Sequence, residues 1–180
     1  MRMLRYNLHM ANISAAELRK TIHKDSQVLD LGKRKLLRVP DTVTELTEVK
    51  ILDLSHSYLT ELPTSANKLT NLTSLILSHN RLAQLPEIVV ELINLIRLYV
   101  NNNQLSSLPT SIKQLTKLQE LDLSNNKLER LCIDINDLKH LEKLYVEGNP
   151  LTLEVLRSLM ELRAKNPGRI NILDIAGEHL

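Results

Sequence analysis

The chain has 180 residues, enough for one ordinary domain with a real core, and its 23 lysines and arginines nearly balance 21 aspartates and glutamates. That balance leaves no electrostatic footprint for nucleic acid or an anionic membrane, and the single cysteine, Cys132, excludes an internal disulfide and suits a reducing compartment. Phenylalanine and tryptophan are absent, so the core must be built mainly from aliphatic side chains.

Residues 1–25 read as an N-terminal extension and a cap. The opening MRMLRYNLHM lacks an uninterrupted apolar run and a small-residue cleavage site, so it does not read as a secretory signal. A flexible or packed extension fits better than a transit peptide, and no later stretch reaches transmembrane length. Ser14 stands three residues before Glu17, a capping-box spacing, and Leu18 and Ile22 follow one helical turn apart. A short amphipathic helix is predicted over 15–24.

Residues 26–151 repeat with a period of 23. One column reads Leu29, Leu52, Leu75, Leu98, Leu121, Leu144; the next apolar column reads Leu31, Leu54, Leu77, Val100, Leu123, Val146. A third reads Arg34, Ser57, Asn80, Asn103, Asn126, Asn149. Such self-similarity without insertions marks six stacked units, none of which can bury its apolar side alone. In the unit LTSLILSHNRLAQLPEIVVELIN, apolar alternation around SLIL predicts a short strand with Leu75 and Leu77 inward. The proline after Leu85 breaks regularity, and Val89, Leu92 and Leu95 then recur at helix-like spacing.

The asparagines fill a structural need. A sharp turn after each strand leaves inward N–H and C=O groups without partners, and a buried amide can bond such groups in its own turn and the next. Asn80, Asn103, Asn126 and Asn149 are therefore predicted to form a structural ladder. Ser57 is a partial substitute, and Arg34 is too long and is expected to swing outward. Cys132 takes the column of Pro40, Pro63, Pro86 and Pro109 and reads as a small apolar substitute rather than a reactive thiol.

The pattern L-x-x-L-x-L-x-x-N-x-L-x-x-L-P resembles the leucine-rich repeat superfamily, and the LP and unbroken period resemble its intracellular Ras-group and related short-repeat branches. The resemblance implies an α/β repeat solenoid: curved and right-handed, with a concave parallel sheet of about six strands, short helical or 3-10 segments on the convex side, and helical caps at both ends. It also implies a cytoplasmic, non-enzymatic protein with small GTPases or phosphatase complexes among the partners of its kind, although no residue matches a specific partner motif.

Residues 152–180 complete the same structural domain. Thr152 is the predicted N-cap of a closing helix with an apolar stripe of Leu153, Leu156, Leu159, Met160 and Leu162, stopped at Asn166-Pro167-Gly168. The segment RINILDI is strand-like, either pairing beyond the last repeat or packing on the cap, and AGEHL reads as a frayed end.

Chemistry is sparse. No nucleophile elbow, P-loop, dinucleotide fingerprint or zinc-ligand spacing occurs, so no cofactor is expected and an enzyme ranks last. His56 and His79 share a column and could approach each other, but two ligands seldom hold a metal, and solvent exposure accounts for a column that also holds Lys33, Asn102, Asn125 and Gly148. Asp30, Asp53 and Asp122 read as a solvated row rather than a catalytic pair.

Side chains alternate across a strand, so the neighbours of the inward leucines face away from the core. Those outward columns do not repeat. Ile76, Arg97, Tyr99, Glu120, Asp122, Lys143 and Tyr145 place apolar, aromatic and charged groups on the open face, a composition suited to a partner-binding surface. The competing reading is that Tyr99 and Tyr145 only shield neighbouring strands. The expectation is a monomeric interaction module, scaffold or signalling regulator that binds a protein partner, with no role for nucleic acid or membrane. The alternatives are an assembly protein working through its convex side or caps, and a microbial effector using the same face on host proteins.

Overall fold

The computed structural model describes residues 13–22, 25, 27–131, 134–165 and 171–173. The expectations for Cys132, for the first twelve residues, for the Asn166-Pro167-Gly168 stop and for the AGEHL end lie outside them. Six strands of three residues each recur along the chain: β1 (Val28–Asp30), β2 (Ile51–Asp53), β3 (Ser74–Ile76), β4 (Arg97–Tyr99), β5 (Glu120–Asp122) and β6 (Lys143–Tyr145). All pair in parallel, in sequence order, with each residue opposite the one 23 positions later, so Leu52, Leu75 and Leu98 stand in one line. A seventh strand, β7 (Asn171–Leu173), pairs with β6 and makes the sheet one strand wider than the repeats alone provide.

Three residues past each strand of the repeats the backbone turns left-handed. Lys33, His56, His79, Asn102 and Asn125 all have φ between 52° and 59°, and Gly148 has 66°. That column varies in side chain and is constant in conformation. Solvent exposure therefore does not by itself explain it. The backbone selects for glycine and asparagine and tolerates histidine. At Gly148 any side chain would also run into that of Asn125.

The asparagine amides close the turn. Asn80 Nδ2 donates to the carbonyls of Leu54 and Leu77, each at 3.0 Å, and its Oδ1 accepts the Leu59 N–H at 3.0 Å. Asn103 and Asn126 repeat the pattern, both buried, and Asn149 repeats it half-buried. The bridge runs to the preceding coil, not to the next, because the turn's free groups on that side are the ones within reach. Ser57 supplies only the acceptor, taking the Leu36 N–H at 3.1 Å, and Arg34 is exposed. A second row on the outer side was not anticipated: Asn71, Asn94 and His140 each bond the carbonyl of the residue 24 positions earlier, Thr47, Thr70 and Thr116.

The outer side is 3-10 helix rather than α-helix, at Asp41–Glu45, Thr64–Lys68, Glu87–Glu91, Thr110–Gln114 and Ile135–Asp137. Val89, Leu92 and Leu95 are all buried, linked by successive bonds from each N–H to the carbonyl three residues back. Their three-residue spacing is what a 3-10 turn needs to keep one side inward. The result is one continuous aliphatic core running the length of the stack.

Both ends carry helices. The first, α1 (Ala15–Arg19), has the full capping box between Ser14 and Glu17 and buries Leu18. It is shorter than the 15–24 expected: Lys20 caps it, the Thr21 hydroxyl bonds the Leu18 carbonyl, and Ile22 reaches the core from a turn. The second, α2 (Leu153–Lys165), follows Thr152, whose carbonyl accepts the Leu156 N–H. Leu159 and Leu162 are buried, but Leu153 (63% exposed) and Met160 (48%) are not part of the core stripe. At roughly 100° per residue they lie more than a quarter-turn to one side of Leu159, whereas Val155 and Leu162 lie within about 60° of it on the other side.

Candidate functional site

The open face of the sheet carries the outward residues, held at three-residue strands too short to twist them out of line. In-register pairing sets Arg97, Glu120 and Lys143 side by side in one row and Tyr99, Asp122 and Tyr145 in the next, with Ile76 beside Tyr99. All seven are thus on adjoining strands, and all but Lys143 are half-buried. Glu120 is the centre of the group. It pairs with Lys143 Nζ at 3.5 Å and interacts with the Tyr99 hydroxyl. Burial first, and then the Glu120 carboxylate, raise the Tyr99 phenol above its ordinary value, while Arg97 acts in the opposite direction. Tyr99 is therefore a neutral donor at physiological pH, already oriented by a carboxylate.

Asp122 has a different occupation from the one its position suggests. Its Oδ1 accepts the Ser124 N–H at 2.9 Å and the Ser124 hydroxyl at 2.6 Å. Asp30 does the same for the Gly32 N–H and Asp53 for the Ser55 N–H, both at 2.8 Å. The aspartate row is thus a set of turn-closing side chains rather than freely solvated carboxylates. The signal was present in the sequence as Asp30-Leu31-Gly32, Asp53-Leu54-Ser55 and Asp122-Leu123-Ser124, an acid two residues before a small one. Asp122 keeps one oxygen for a partner at most.

His56 and His79 do meet, with ring centroids 4.1 Å apart and planes 11° from parallel. Stacked faces direct their nitrogen lone pairs along parallel planes instead of toward one point, which is poor geometry for a shared metal. Partial burial, and then His56, lower the His79 pKa from its ordinary value. Among the described residues no group of three His, Cys, Asp or Glu side chains is placed to hold a metal ion, and no helix is long and apolar enough to cross a membrane.

Comparison with family models agrees with this architecture. The family described as leucine-rich repeat region matches residues 26–123, and a second, leucine rich repeat, matches 117–139. A solved leucine-rich repeat protein of Leptospira interrogans is 24% identical over 81% of this chain, with a TM-score of 0.38, and the chain spans 54% of that structure's length. No curated protein matches. Domains of this kind generally mediate protein–protein interaction and are typically non-enzymatic. With six in-register coils of the family's spacing and a family match over more than half its length, the chain belongs to the leucine-rich repeat family.

Proposed function

We propose that this chain is a non-enzymatic scaffold or regulator in cytoplasmic signalling that takes a protein partner onto the concave face of β4, β5 and β6. The single observation behind this reading is the contrast between columns. The inward columns hardly change from coil to coil, whereas the outward ones converge on Arg97, Tyr99, Glu120, Lys143 and Tyr145, none of which the core requires. Half-buried tyrosines beside arginine resemble the anchors that dominate interface energetics. The Glu120–Lys143 pair contributes orientation more than stability, since so exposed a lysine is worth roughly 0.2–1 kcal/mol at most.

The test is affinity purification with mass spectrometry, comparing the native chain with a Tyr99→Ala/Arg97→Gln variant. Loss of a partner at unchanged circular dichroism and melting temperature is expected. A partner retained by the variant would move the site off the concave face. A second reading, assembly through a cap, is favoured only by the exposed Leu153 and Met160 on α2. Concentration-dependent light scattering that disappears in Leu153→Ser/Met160→Ser would support it, and a strict monomer would end it.

A further inference from the structure

Charge is distributed unevenly along the turn edge of the solenoid, the rim that follows the strands. In the first three turns, residues 33–38, 56–61 and 79–84, Lys33, Arg34, Lys35, Arg38 and Arg81 stand against one carboxylate, Glu61, a formal excess of +4. The next two turns, 102–107 and 125–130, hold Lys127 and Arg130 against Glu129, an excess of +1. The segments are stacked directly on one another. Lys33 N–H bonds the Ser55 carbonyl and His56 N–H that of Ser78; Tyr58 N–H bonds Leu36 and Arg81 N–H bonds Leu59. Lys33, His56 and His79 therefore form one row and Lys35, Tyr58 and Arg81 the next, all exposed except half-buried Tyr58.

Two contacts fix the shape of this rim. The Arg81 guanidinium lies 4.4 Å from the centre of the Tyr58 ring, and the two imidazoles stack on each other. Leu37, 53% exposed, sits within the basic run. Besides Glu61 in the rim itself, Asp30 and Asp53 end the strands that lead into these turns, and they accept the turn N–H groups of Gly32 and Ser55.

We propose that this rim is a second docking surface, distinct from the concave site, for an acidic segment of a protein partner carrying an apolar residue beside its carboxylates. Charge complementarity selects the acid, and Leu37 is the apolar anchor. Nucleic acid fits less well: Arg81 already covers one face of the half-buried Tyr58 ring, and three coils at about 4.8 Å spacing span too little backbone for an extended phosphate track. A membrane fits less well too, because one exposed leucine gives little insertion.

The experiment is fluorescence anisotropy with the whole protein and a fluorescein-labelled peptide of alternating glutamate and leucine. The same peptide with glutamine for glutamate, duplex DNA, and phosphatidylserine–phosphatidylcholine vesicles form the comparison arms. Binding of the glutamate peptide, weakened by salt and about tenfold by Arg38→Glu/Arg81→Glu, is the expected result. Should that variant fold poorly by circular dichroism, Lys33→Asn/Lys35→Asn removes charge with a residue that accepts the left-handed backbone. Equal affinity for the two peptides, affinity unchanged in a folded charge variant, or tighter binding of DNA or vesicles would overturn the proposal.

Discussion

The amide of Asn103 serves three backbone groups at once: the carbonyls of Leu77 and Val100 and the N–H of Leu82. Asn103→Ala leaves the Leu82 N–H buried without a partner, while the Leu77 and Val100 carbonyls keep the amides of Asn80 and Asn126, so urea denaturation should show a loss of roughly 1–3 kcal/mol. Asn149→Ala should cost less, since water can reach its half-exposed seat. At His79 the neutral form is favoured by partial burial and by the facing His56. The folded pKa lies below the unfolded value of 6.5, so the unfolded chain binds more protons between the two and stability falls as pH drops below about 6.5. His79→Asn, a residue native to that column at Asn102 and Asn125, should flatten the fall in melting temperature between about pH 7 and pH 5. The asparagine seats could be read from side-chain identity alone. The left-handed column could not, because lysine, histidine, asparagine and glycine share a backbone state and no side-chain chemistry. The aspartates were missed for a related reason: their partner is an N–H two residues on, which becomes visible only once the turn is drawn.

Each strand is short, and its register is set less by its own three residues than by the turn and outer segment that return the chain after 23 positions. The period therefore carried the sheet, its parallel sense and its inward leucines. It could not carry the ends, where nothing repeats. In α1 a capping box starts the helix, yet a threonine hydroxyl and an early cap finish it within five residues. In α2 the apolar residues cover more of the circumference than the last coil can bury, so Leu153 and Met160 are left outside. Leu159 carries the seal. Leu159→Ala should cost about 2–5 kcal/mol. Because each coil touches only its neighbours, hydrogen exchange should quicken mainly at the amides of β5 and β6 and hardly at β2. Uniform acceleration would mean the stack opens as one unit.

Over the whole molecule, the family and the solenoid follow from the repeating columns, while the choice of binding coils does not, because it rests on residues that occur once. Tyr99 and Arg97 can be nominated from composition; their common neighbour Glu120 acquires its central part only when β4, β5 and β6 are laid side by side. The same unbroken register has a mechanical consequence. Pulled by its two ends along the stacking axis, the molecule presents, among the described residues, a series of similar interfaces between neighbouring coils. Optical tweezers should then record a sawtooth of steps, each releasing one 23-residue loop of roughly 80 Å contour length, with the buried-amide coils yielding at higher force than the serine and arginine coils at the front.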